Sequence, residues 1–459
     1  MLRKFSFLTF FIFSIGFISG CSTEIIKKEP TPFIINIDTT KIASKNFRGL
    51  GFEWDARNYS NMKIDDADYK LIFDRVKWMN FKIIRTMIQV KWVFDENDNF
   101  NTSSPEFYHL TKILDYCEEN GISVIMQEWG VEPDWLNHNG LNKVDESKYL
   151  DMIIQYMDYF VNQKKYNCID YFGFVNEPNY EVGDFERWKR GFEYLQNGFE
   201  KNGVIPKINF MAPGQSNNDE WFKKSVSELS PKIGLFDVHI YEWKKDLELG
   251  GIYYKVKDFR SILDEKPENK EKLLFISEAG MRDGQNAEIN ENIDSFDYAQ
   301  FMADYGCQAL NSGANSVLAW MLDDNSHPDF QWGVWKNKQK QFSLRPWFYT
   351  WGLFSKLFPQ GSKIIRINST SIDLRATAAL FKDEYSVCVV NNSMSENYFY
   401  LKGDILNQKL YYITLTEENI NESISEIEKK VLTISPSNQE LKIYLPPKSH
   451  IFLTTMRIK

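Results

Sequence analysis

The sequence IDYFGFVNEP at residues 169–178 and the sequence KLLFISEAG at residues 272–280 are the two most informative segments of the chain. Each begins with a short apolar run and reaches a glutamate, Glu177 or Glu278, where that run ends. A run of four to eight apolar residues bounded by turn residues is typical of a buried strand. Each segment is therefore predicted to present a carboxylate at the carboxyl end of a strand.

Six further strand-like segments extend this pattern along the chain. The eight candidates are 47–54, 82–88, 122–129, 169–176, 207–213, 235–241, 272–278 and 315–321. Between them, apolar residues at helical spacing predict helices, including those over 66–80, 146–162 and 297–311. Eight such units predict a (β/α)8 TIM barrel, placed at residues 45–357. An open doubly wound sheet is the alternative, but no glycine-rich phosphate turn follows the first strand.

After residue 358 the segments become short and partly alternating, with Asn, Ser, Gly and Pro between them. They are 363–367, 371–375, 385–391, 397–401, 409–415, 430–434, 440–445 and 450–455. This pattern predicts a C-terminal all-β sandwich over residues 358–459. The run FIINI at 33–37 predicts a strand within residues 33–44 that joins the sandwich. The predicted fold class is thus α/β, a barrel followed by a β-sandwich domain.

Polar and aromatic residues concentrate at the carboxyl ends of the predicted barrel strands, where barrel active sites form. In strand order they are Glu53 and Trp54, Arg85, Trp129, Asn176 and Glu177, His239 and Tyr241, Glu278, and Trp320. Two carboxyl groups that face each other are what glycoside hydrolysis requires. One protonates the leaving oxygen, and the other attacks the sugar or activates water. Their separation decides between retention and inversion, and the sequence does not measure it.

The region from about 45 to 357 resembles the clan of retaining (β/α)8 glycoside hydrolases that includes families 5, 30, 39 and 51. The resemblance rests on Asn-Glu-Pro at 176–178, a Glu after the seventh strand, Arg on the second, His-x-Tyr on the sixth and Trp on the eighth. The trailing sandwich is similar to that of families 30, 39 and 51. The segment SEAG at 277–280 differs from the Thr-Glu-Trp that family 39 members often have, so the family and the sugar stay open.

The resemblance implies roles for single residues. Glu177 matches the general acid/base and Glu278 the nucleophile. A general acid must carry a proton near neutral pH, so the pKa of Glu177 is expected to be raised. The resemblance also implies that Asn176 bonds the sugar 2-hydroxyl and that Trp320 forms the floor of the subsite. Tyr241 would bond the nucleophile, and Arg85 would support it from below. His239 would belong to the nearby polar network. For Glu53, Trp54 and Trp129, substrate binding and a core or rim role are equally compatible with the sequence.

The composition restricts the partners. A net charge of -9 and a pI of about 5.4 disfavour nucleic acid. Aromatic residues make up 15% of the chain, which fits a large core or sugar stacking. The five histidines show no metal-ligand spacing, so neither a metal nor a cofactor is predicted. Buried free thiols are favoured for the four later cysteines, with disulfide pairing as the alternative; these are Cys117, Cys168, Cys307 and Cys388.

The N-terminus has the pattern of an export signal. Arg3 and Lys4 precede an apolar run at 5–17, and the ISGC sequence that ends at Cys21 resembles the lipobox of bacterial lipoproteins. That resemblance implies a signal peptide over 1–20, a lipid on Cys21, a polar tether over 21–32 and a place in the bacterial cell envelope, facing the periplasm or the cell surface. An ordinary signal peptide or a membrane helix are the alternatives. The run is shorter than the roughly 20 apolar residues that span a bilayer.

These observations predict a lipid-anchored glycosidase that cleaves O-glycosidic bonds of a poly- or oligosaccharide by double displacement. The main alternative is a non-catalytic glycan-binding lipoprotein on a barrel scaffold. A barrel hydrolase that uses a metal is a second alternative, and a transglycosylase with the same residues is a third. The oligomeric state is not predicted.

Overall fold

The computed structural model describes residues 33–129, 144–286, 288–367, 371–420, 427, 431–435 and 439–457. Its strands, in chain order, are β1 Phe33–Ile37, β2 Ile42–Ser44, β3 Leu50–Glu53, β4 Ile83–Ile88, β5 Ser123–Glu128, β6 Ile169–Phe174, β7 Asn209–Ser216, β8 Ile233–Glu242, β9 Leu273–Met281, β10 Ser316–Ala319, β11 Lys363–Ile365, β12 Leu374–Phe381, β13 Glu384–Asn391, β14 Asn397–Gly403, β15 Leu410–Leu415, β16 Leu432–Ile434, β17 Glu440–Leu445 and β18 Ser449–Thr454.

The helices lie mainly between the barrel strands. They are α1 Asp66–Met79, α2 Pro105–Asn120, α3 Ser147–Asp158, α4 Pro178–Glu181, α5 Phe185–Lys201, α6 Asp219–Leu229, α7 Lys244–Glu248, α8 Gly251–Asp264, α9 Phe296–Ser312 and α10 Pro346–Leu357. A π-helical turn, Tyr159–Lys164, continues α3, so the predicted helix over 146–162 changes its hydrogen-bond pattern near its end. The predicted helices over 66–80 and 297–311 correspond to α1 and α9.

Eight parallel strands, β3 to β10, close into a barrel because β3 pairs with both β4 and β10. Every predicted barrel strand overlaps one of them, which confirms the predicted fold. The helix ends follow local chemistry. The side chain of Asp65 accepts hydrogen bonds from the first turn of α1, and Gly121, with φ of 60°, ends α2.

The barrel interior changes from apolar to polar along the strands. Its apolar layer consists of Ile83, Ile125, Tyr171, Met211, Leu235, Leu273, Phe275 and Leu318. Side chains two residues apart on a strand point to the same face. Arg85 therefore follows Ile83 inside the barrel, and Asp237, His239 and Tyr241 follow Leu235. The polar layer lies at the carboxyl ends, where the candidate site forms.

The C-terminal region contains two sheets with their own core. One sheet has the order β16-β15-β18-β13-β12-β11-β2, and the other has the order β1-β14-β17. The strand β1 pairs in parallel with β14, so the predicted N-terminal strand joins this region. The segment predicted over 371–375 is wrong in its bounds, because the strand begins only at Leu374 and continues to Phe381.

The described residues also bear on the cysteines and on membrane spanning. All four cysteines after residue 33 are buried free thiols. Among the described helices, none has both the length and the apolar character needed to cross a bilayer. Cys21 and the predicted signal and tether lie outside the described residues.

Candidate active site

Glu278 is held by two groups from other barrel strands, Arg85 of β4 and Tyr241 of the adjacent β8. Its Oε1 accepts a hydrogen bond from Arg85 Nη1 at 2.6 Å, and its Oε2 accepts one from the Tyr241 hydroxyl at 2.9 Å. The side chain is nearly buried but faces the pocket. The two hydrogen bonds engage one oxygen each and fix the orientation of the Glu278 carboxyl group towards the pocket.

Glu177 is presented by a sharp turn after β6. Val175 and Glu177 both have positive φ, 65° and 44°, and Pro178 begins α4 directly afterwards. A β-branched residue such as valine rarely adopts this backbone region. Strain of this kind persists where surrounding contacts fix it, and it is often found at functional sites. The backbone amide of Asn176 donates a hydrogen bond to the Trp129 carbonyl at 2.8 Å, which extends the pairing of β5 and β6 beyond the strand ends.

The two glutamates meet across His239. The His239 Nδ1 atom lies 2.9 Å from Glu177 Oε1 and 3.5 Å from Glu278 Oε1. One oxygen of Glu177 and one of Glu278 lie within 4.8 Å of each other. Retaining glycosidases have carboxyl groups about 5–5.5 Å apart, whereas inverting enzymes separate them by about 6.5–9.5 Å. An upper bound of 4.8 Å for this oxygen pair lies below both ranges and is nearer to the shorter one.

The pKa of Glu177 differs from the expectation. Burial raises the pKa of this carboxyl, but the hydrogen bond and the charge of His239 outweigh burial and leave it below the ordinary value. Burial lowers the pKa of His239, yet the Glu278 charge and the Glu177 hydrogen bond leave it above the ordinary value. The prediction of a raised pKa for Glu177 is therefore wrong for the free protein, because the contact with His239 lowers the pKa of this carboxyl.

Arg85 lies beneath the pocket and connects several polar groups. Besides Glu278, its Nη1 donates to Glu53 Oε2 at 3.2 Å, and its Nη2 donates to Asn176 Oδ1. Burial alone would lower the pKa of Arg85, but the charges of Glu53 and Glu278 raise it above the ordinary range. Burial raises the pKa of Glu53 well above its ordinary value. Arg85 therefore fixes Glu278 and Asn176 relative to each other.

The pocket above these residues has a volume of about 450 Å³. Its lining consists of Trp129, Asn176, Glu177, Tyr180, Ser216, Asn217, Tyr241, Glu278, Arg282, Gln285, Asn286, Trp320 and Trp332. Three tryptophans with amide and hydroxyl groups are a suitable surface for a sugar, whose ring has apolar faces and polar edges.

The structure brings most of the predicted site residues together, but four of them do not line the pocket: Arg85 and His239, which contact the two glutamates, and Glu53 and Trp54. Glu53 is fully buried under Arg85. Trp54 is 1% exposed, donates from Nε1 to the Tyr59 hydroxyl at 3.0 Å and packs against Phe73. A substrate-contacting role for Glu53 and Trp54 is therefore wrong in this structure. Their roles are support beneath the pocket and core packing.

Sequence reasoning missed pocket residues that lie on loops. Arg282, Gln285 and Asn286 follow β9, and Trp332 lies thirteen residues after the end of β10. The Trp332 ring packs against Tyr241 with ring centroids 5.8 Å apart. Long connections give no periodic signal, so only the place of Arg282 four residues after Glu278 offered a sequence clue.

Glu177, His239 and Glu278 form the group of potential metal ligands found among the described residues. Their ligand atoms are already engaged in the hydrogen bonds described above. A cation bound to Glu278 would also lie beside the Arg85 guanidinium, and like charges repel at such distances. The donor set therefore fits a metal poorly.

Comparisons with known proteins give a consistent fold. No family model matches the sequence. A segment of 146 residues, 29% of the chain, is 25% identical to glucan 1,3-beta-glucosidase D of Emericella nidulans, and the match covers 17% of that enzyme. The chain therefore spans less than a fifth of this curated relative.

Solved structures match almost the whole chain. A family 51 α-L-arabinofuranosidase from Thermotoga petrophila matches 92% of this chain and 100% of its own, with a TM-score of 0.69 and 14% identity. The catalytic domain of the family 30 xylanase C from Talaromyces cellulolyticus matches the same shares, with a TM-score of 0.66 and 12% identity. A family 39 enzyme from Xanthomonas axonopodis matches 95% of this chain and 99% of its own, with a TM-score of 0.64 and 10% identity. The chain thus shares its barrel-and-sandwich fold with clan A glycoside hydrolases of families 30, 39 and 51.

Proposed function

We propose that this protein is a retaining glycoside hydrolase that cleaves O-glycosidic bonds of a poly- or oligosaccharide. The observation that carries the proposal is the pair of glutamates, Glu177 and Glu278, with oxygens within 4.8 Å at the ends of the fourth and seventh barrel strands. The arginine and tyrosine on Glu278 and the tryptophan-lined pocket support it. The fold shared with known glycosidases adds to this support.

In the first step, a Glu278 oxygen attacks the anomeric carbon while the glycosidic carbon–oxygen bond breaks. Glu177 gives a proton to the leaving oxygen. His239 is one hydrogen bond away from Glu177 and is the nearest group that can exchange a proton with it. A quarter of the Glu177 side chain is exposed, and a bound sugar would cover it. Added burial raises a carboxyl pKa, so bound substrate would favour the protonated form of Glu177.

In the second step, Glu177 takes a proton from water, and the water oxygen attacks the anomeric carbon. The ester bond to Glu278 then breaks and the carboxylate is regenerated beside Arg85. The configuration at the anomeric carbon is retained over the two displacements.

The test is a hydrolysis screen of aryl β-glycosides, aryl α-L-arabinofuranosides and polysaccharides, combined with trapping of the intermediate. A 2-deoxy-2-fluoro glycoside of the cleaved sugar should add one glycosyl mass to the protein, and peptide mapping should place that mass on Glu278. Glu177→Gln should lose about 10²- to 10⁴-fold in turnover on unactivated substrates. Azide should restore much of the turnover of this variant on aryl glycosides with good leaving groups.

The matched control is Glu242→Gln, which alters a buried glutamate of β8 that pairs with Lys255 outside the pocket. It should retain activity. Binding without any product would favour the glycan-binding alternative and refute hydrolysis. Products that appear only with an added sugar acceptor would assign transglycosylation, and loss of activity in chelator would indicate a metal.

We also propose that the protein is a lipoprotein of the bacterial cell envelope. The proposal rests on the ISGC sequence that ends at Cys21 and on the polar segment that follows it. Cells fed a labelled fatty acid should incorporate label into the wild-type protein and not into Cys21→Ala. Equal labelling of both, or none of either, would refute the lipid anchor.

A further inference from the structure

This inference rests on the proposed function and concerns the class of glycan. Arg282 lines the same pocket as the two glutamates. Its guanidinium lies over the Trp243 ring, with its central carbon 5.7 Å from the ring centroid. Within the part of the chain that the structure describes, its side chain has no hydrogen-bond or ion-pair partner. The Arg282 guanidinium is thus held by an aromatic ring, and its N–H groups donate no hydrogen bond to the described residues.

The carboxylates near Arg282 in sequence or across the strand pair are engaged elsewhere. Glu242 forms an ion pair with Lys255 at 2.6 Å. Asp283 accepts a hydrogen bond from the Lys244 backbone amide at 2.6 Å. The Arg282 backbone amide donates to the Glu242 carbonyl, which anchors the main chain and leaves the side chain directed by Trp243 alone.

A second arginine beside the pocket, Arg57, provides a comparison because its charge is paired with a carboxylate. Arg57 lies over the Trp129 ring at 4.1 Å, as Arg282 lies over Trp243. Arg57, however, has Asp55 3.9 Å away and donates to the Ser326 hydroxyl at 3.4 Å. It is also absent from the pocket lining. The two arginines share an aromatic support and differ in whether their charge is already matched.

The distance from the glutamates places Arg282 at a neighbouring subsite. Glu278 and Gly280 lie in β9, and Arg282 follows its end at Met281, so Arg282 lines the pocket about 13 Å of extended chain beyond Glu278. Gly280 adds no side chain between the two: a side chain there would begin 3.0 Å from the Tyr241 ring. Arg282 therefore faces a sugar next to the one that is cleaved. The amides of Gln285 and Asn286 line the pocket near it.

We propose that Arg282 recognises an anionic substituent, a carboxylate or a sulfate ester, on a sugar adjoining the cleaved bond. Guanidinium binds both groups through paired hydrogen bonds. The substrate class of the enzyme is then an acidic glycan, with the Arg282–Trp243 pair as the determinant of specificity. Trp243, 41% exposed, supports the Arg282 guanidinium from one side.

The experiment compares matched glycans on the full-length protein. The first pair is a uronic-acid-containing polysaccharide and the same polymer after carboxyl reduction, and the second is a sulfated polysaccharide before and after desulfation. The variants are Arg282→Met, Arg282→Lys and the control Arg57→Gln. The readouts are kcat/KM on each polymer and, in the Glu278→Gln background, retardation in gels that contain the polymer.

We expect Arg282→Met to lower the acidic-to-neutral ratio of kcat/KM about 10- to 100-fold, as for loss of a charge-assisted contact. Arg282→Lys should keep part of the preference, and Arg57→Gln should keep all of it. The pair of polymers whose kcat/KM ratio depends on Arg282 identifies the anion as a carboxylate or a sulfate ester. A wild-type preference for neutral polymers, or an equal ratio in wild type and Arg282→Met, would overturn the inference while hydrolysis itself stands. Arg282-dependent retardation without any hydrolysis would instead refute the proposed function and retain the anionic ligand.

Discussion

Two buried arginines, Arg85 and Arg345, each pair with two carboxylates, and they differ in how completely those carboxylates are bonded. Arg345 donates to Asp294 and to Asp324, the latter at 2.6 Å, and also to the Gly333 carbonyl at 2.8 Å. The other Asp324 oxygen accepts backbone hydrogen bonds from Trp332 and Gly333. Asp324 is fully buried, and both of its oxygens are bonded by the protein.

The Arg85 group is left incomplete. Among the described residues, neither Arg85 Nε nor Glu53 Oε1 has a hydrogen-bond partner, although both are buried. Glu278 faces the pocket, so its remaining lone pairs are open to a ligand. A buried ion pair with every group bonded fixes a loop, whereas one with free capacity at a pocket is arranged for chemistry. The Arg345 group thus holds the loop that carries Trp332, whereas under the proposed function the Arg85 group serves catalysis.

The largest expected effect is that of Glu278→Gln in the Arg85 group. The amide oxygen can still accept from Arg85, so the protein should fold, but an amide cannot act as the nucleophile. Turnover should fall by about 10⁴-fold or more, the scale seen when a nucleophile is removed. Steady-state kinetics and urea unfolding of the same preparation measure the two properties. Turnover within tenfold of wild type would remove Glu278 from the mechanism.

For Asp324→Asn in the Arg345 group, we expect a loss of stability rather than a loss of turnover. Removal of one partner from a buried ion pair leaves the other charge uncompensated and costs about 3–5 kcal/mol of unfolding free energy. Activity per folded molecule should change little by comparison. Urea unfolding measures the loss, and Asp294→Asn is the matched control because the Asp294 side chain is 48% exposed. If both variants lose the same unfolding free energy, the contrast between the buried Asp324 and the half-exposed Asp294 does not hold.

Replacement of each arginine by lysine should separate the two groups again. Lysine keeps the charge but loses the planar fork, so Arg85→Lys cannot hold Glu278 and Asn176 together. We expect kcat to fall about 10²-fold, as for loss of one oriented donor in an active site. Arg345→Lys should instead lower the urea midpoint and leave kcat near that of wild type. A drop in kcat for Arg345→Lys and not for Arg85→Lys would reverse our assignment.

The barrel and the paired glutamates could be predicted because both depend on local signals. Each barrel strand is a short apolar run, and each glutamate follows such a run. The apposition of Glu53 and Arg85 is a matter of register, since these two residues are directly paired across β3 and β4. Period-two alternation then sends Trp54 outward, towards the helices, and this explains why its predicted role was wrong.

Other features of the site depend on tertiary structure and left no trace in the sequence. The register of β8 against β9 shifts between Val238 and His239. After this bulge both Ser277 and Glu278 reach interior groups: Ser277 donates to Asp237, and Glu278 accepts from Tyr241. In a regular strand, only one of two consecutive side chains points into the barrel. A bulge redirects a side chain and allows both to do so. The lowered pKa of Glu177 likewise required the position of His239.

Another buried carboxylate, Asp304, tests whether burial alone decides protonation away from the two glutamates. It lies on α9 and accepts hydrogen bonds from Gln308 and from Asn392 at 2.9 and 2.7 Å. Arg375 is 3.6 Å away, a looser approach than either arginine pair above. Burial raises the pKa of Asp304 to about 6, from an ordinary value of 3.8.

Because the folded state holds this proton more tightly than the unfolded state, Asp304 favours folding most at low pH. Its contribution should fall as the pH rises through about 4 to 6 and be constant above about 7. The total change is at most about 3 kcal/mol, from roughly two pKa units. Urea unfolding of wild type and Asp304→Asn across this range should show a difference that shifts against the wild type as pH rises. Asp219→Asn, on the exposed start of α6, should give a smaller change. A difference that is independent of pH would mean that Gln308, Asn392 and Arg375 stabilise the ionised carboxylate enough to offset its burial. Burial alone would then not decide the protonation of Asp304.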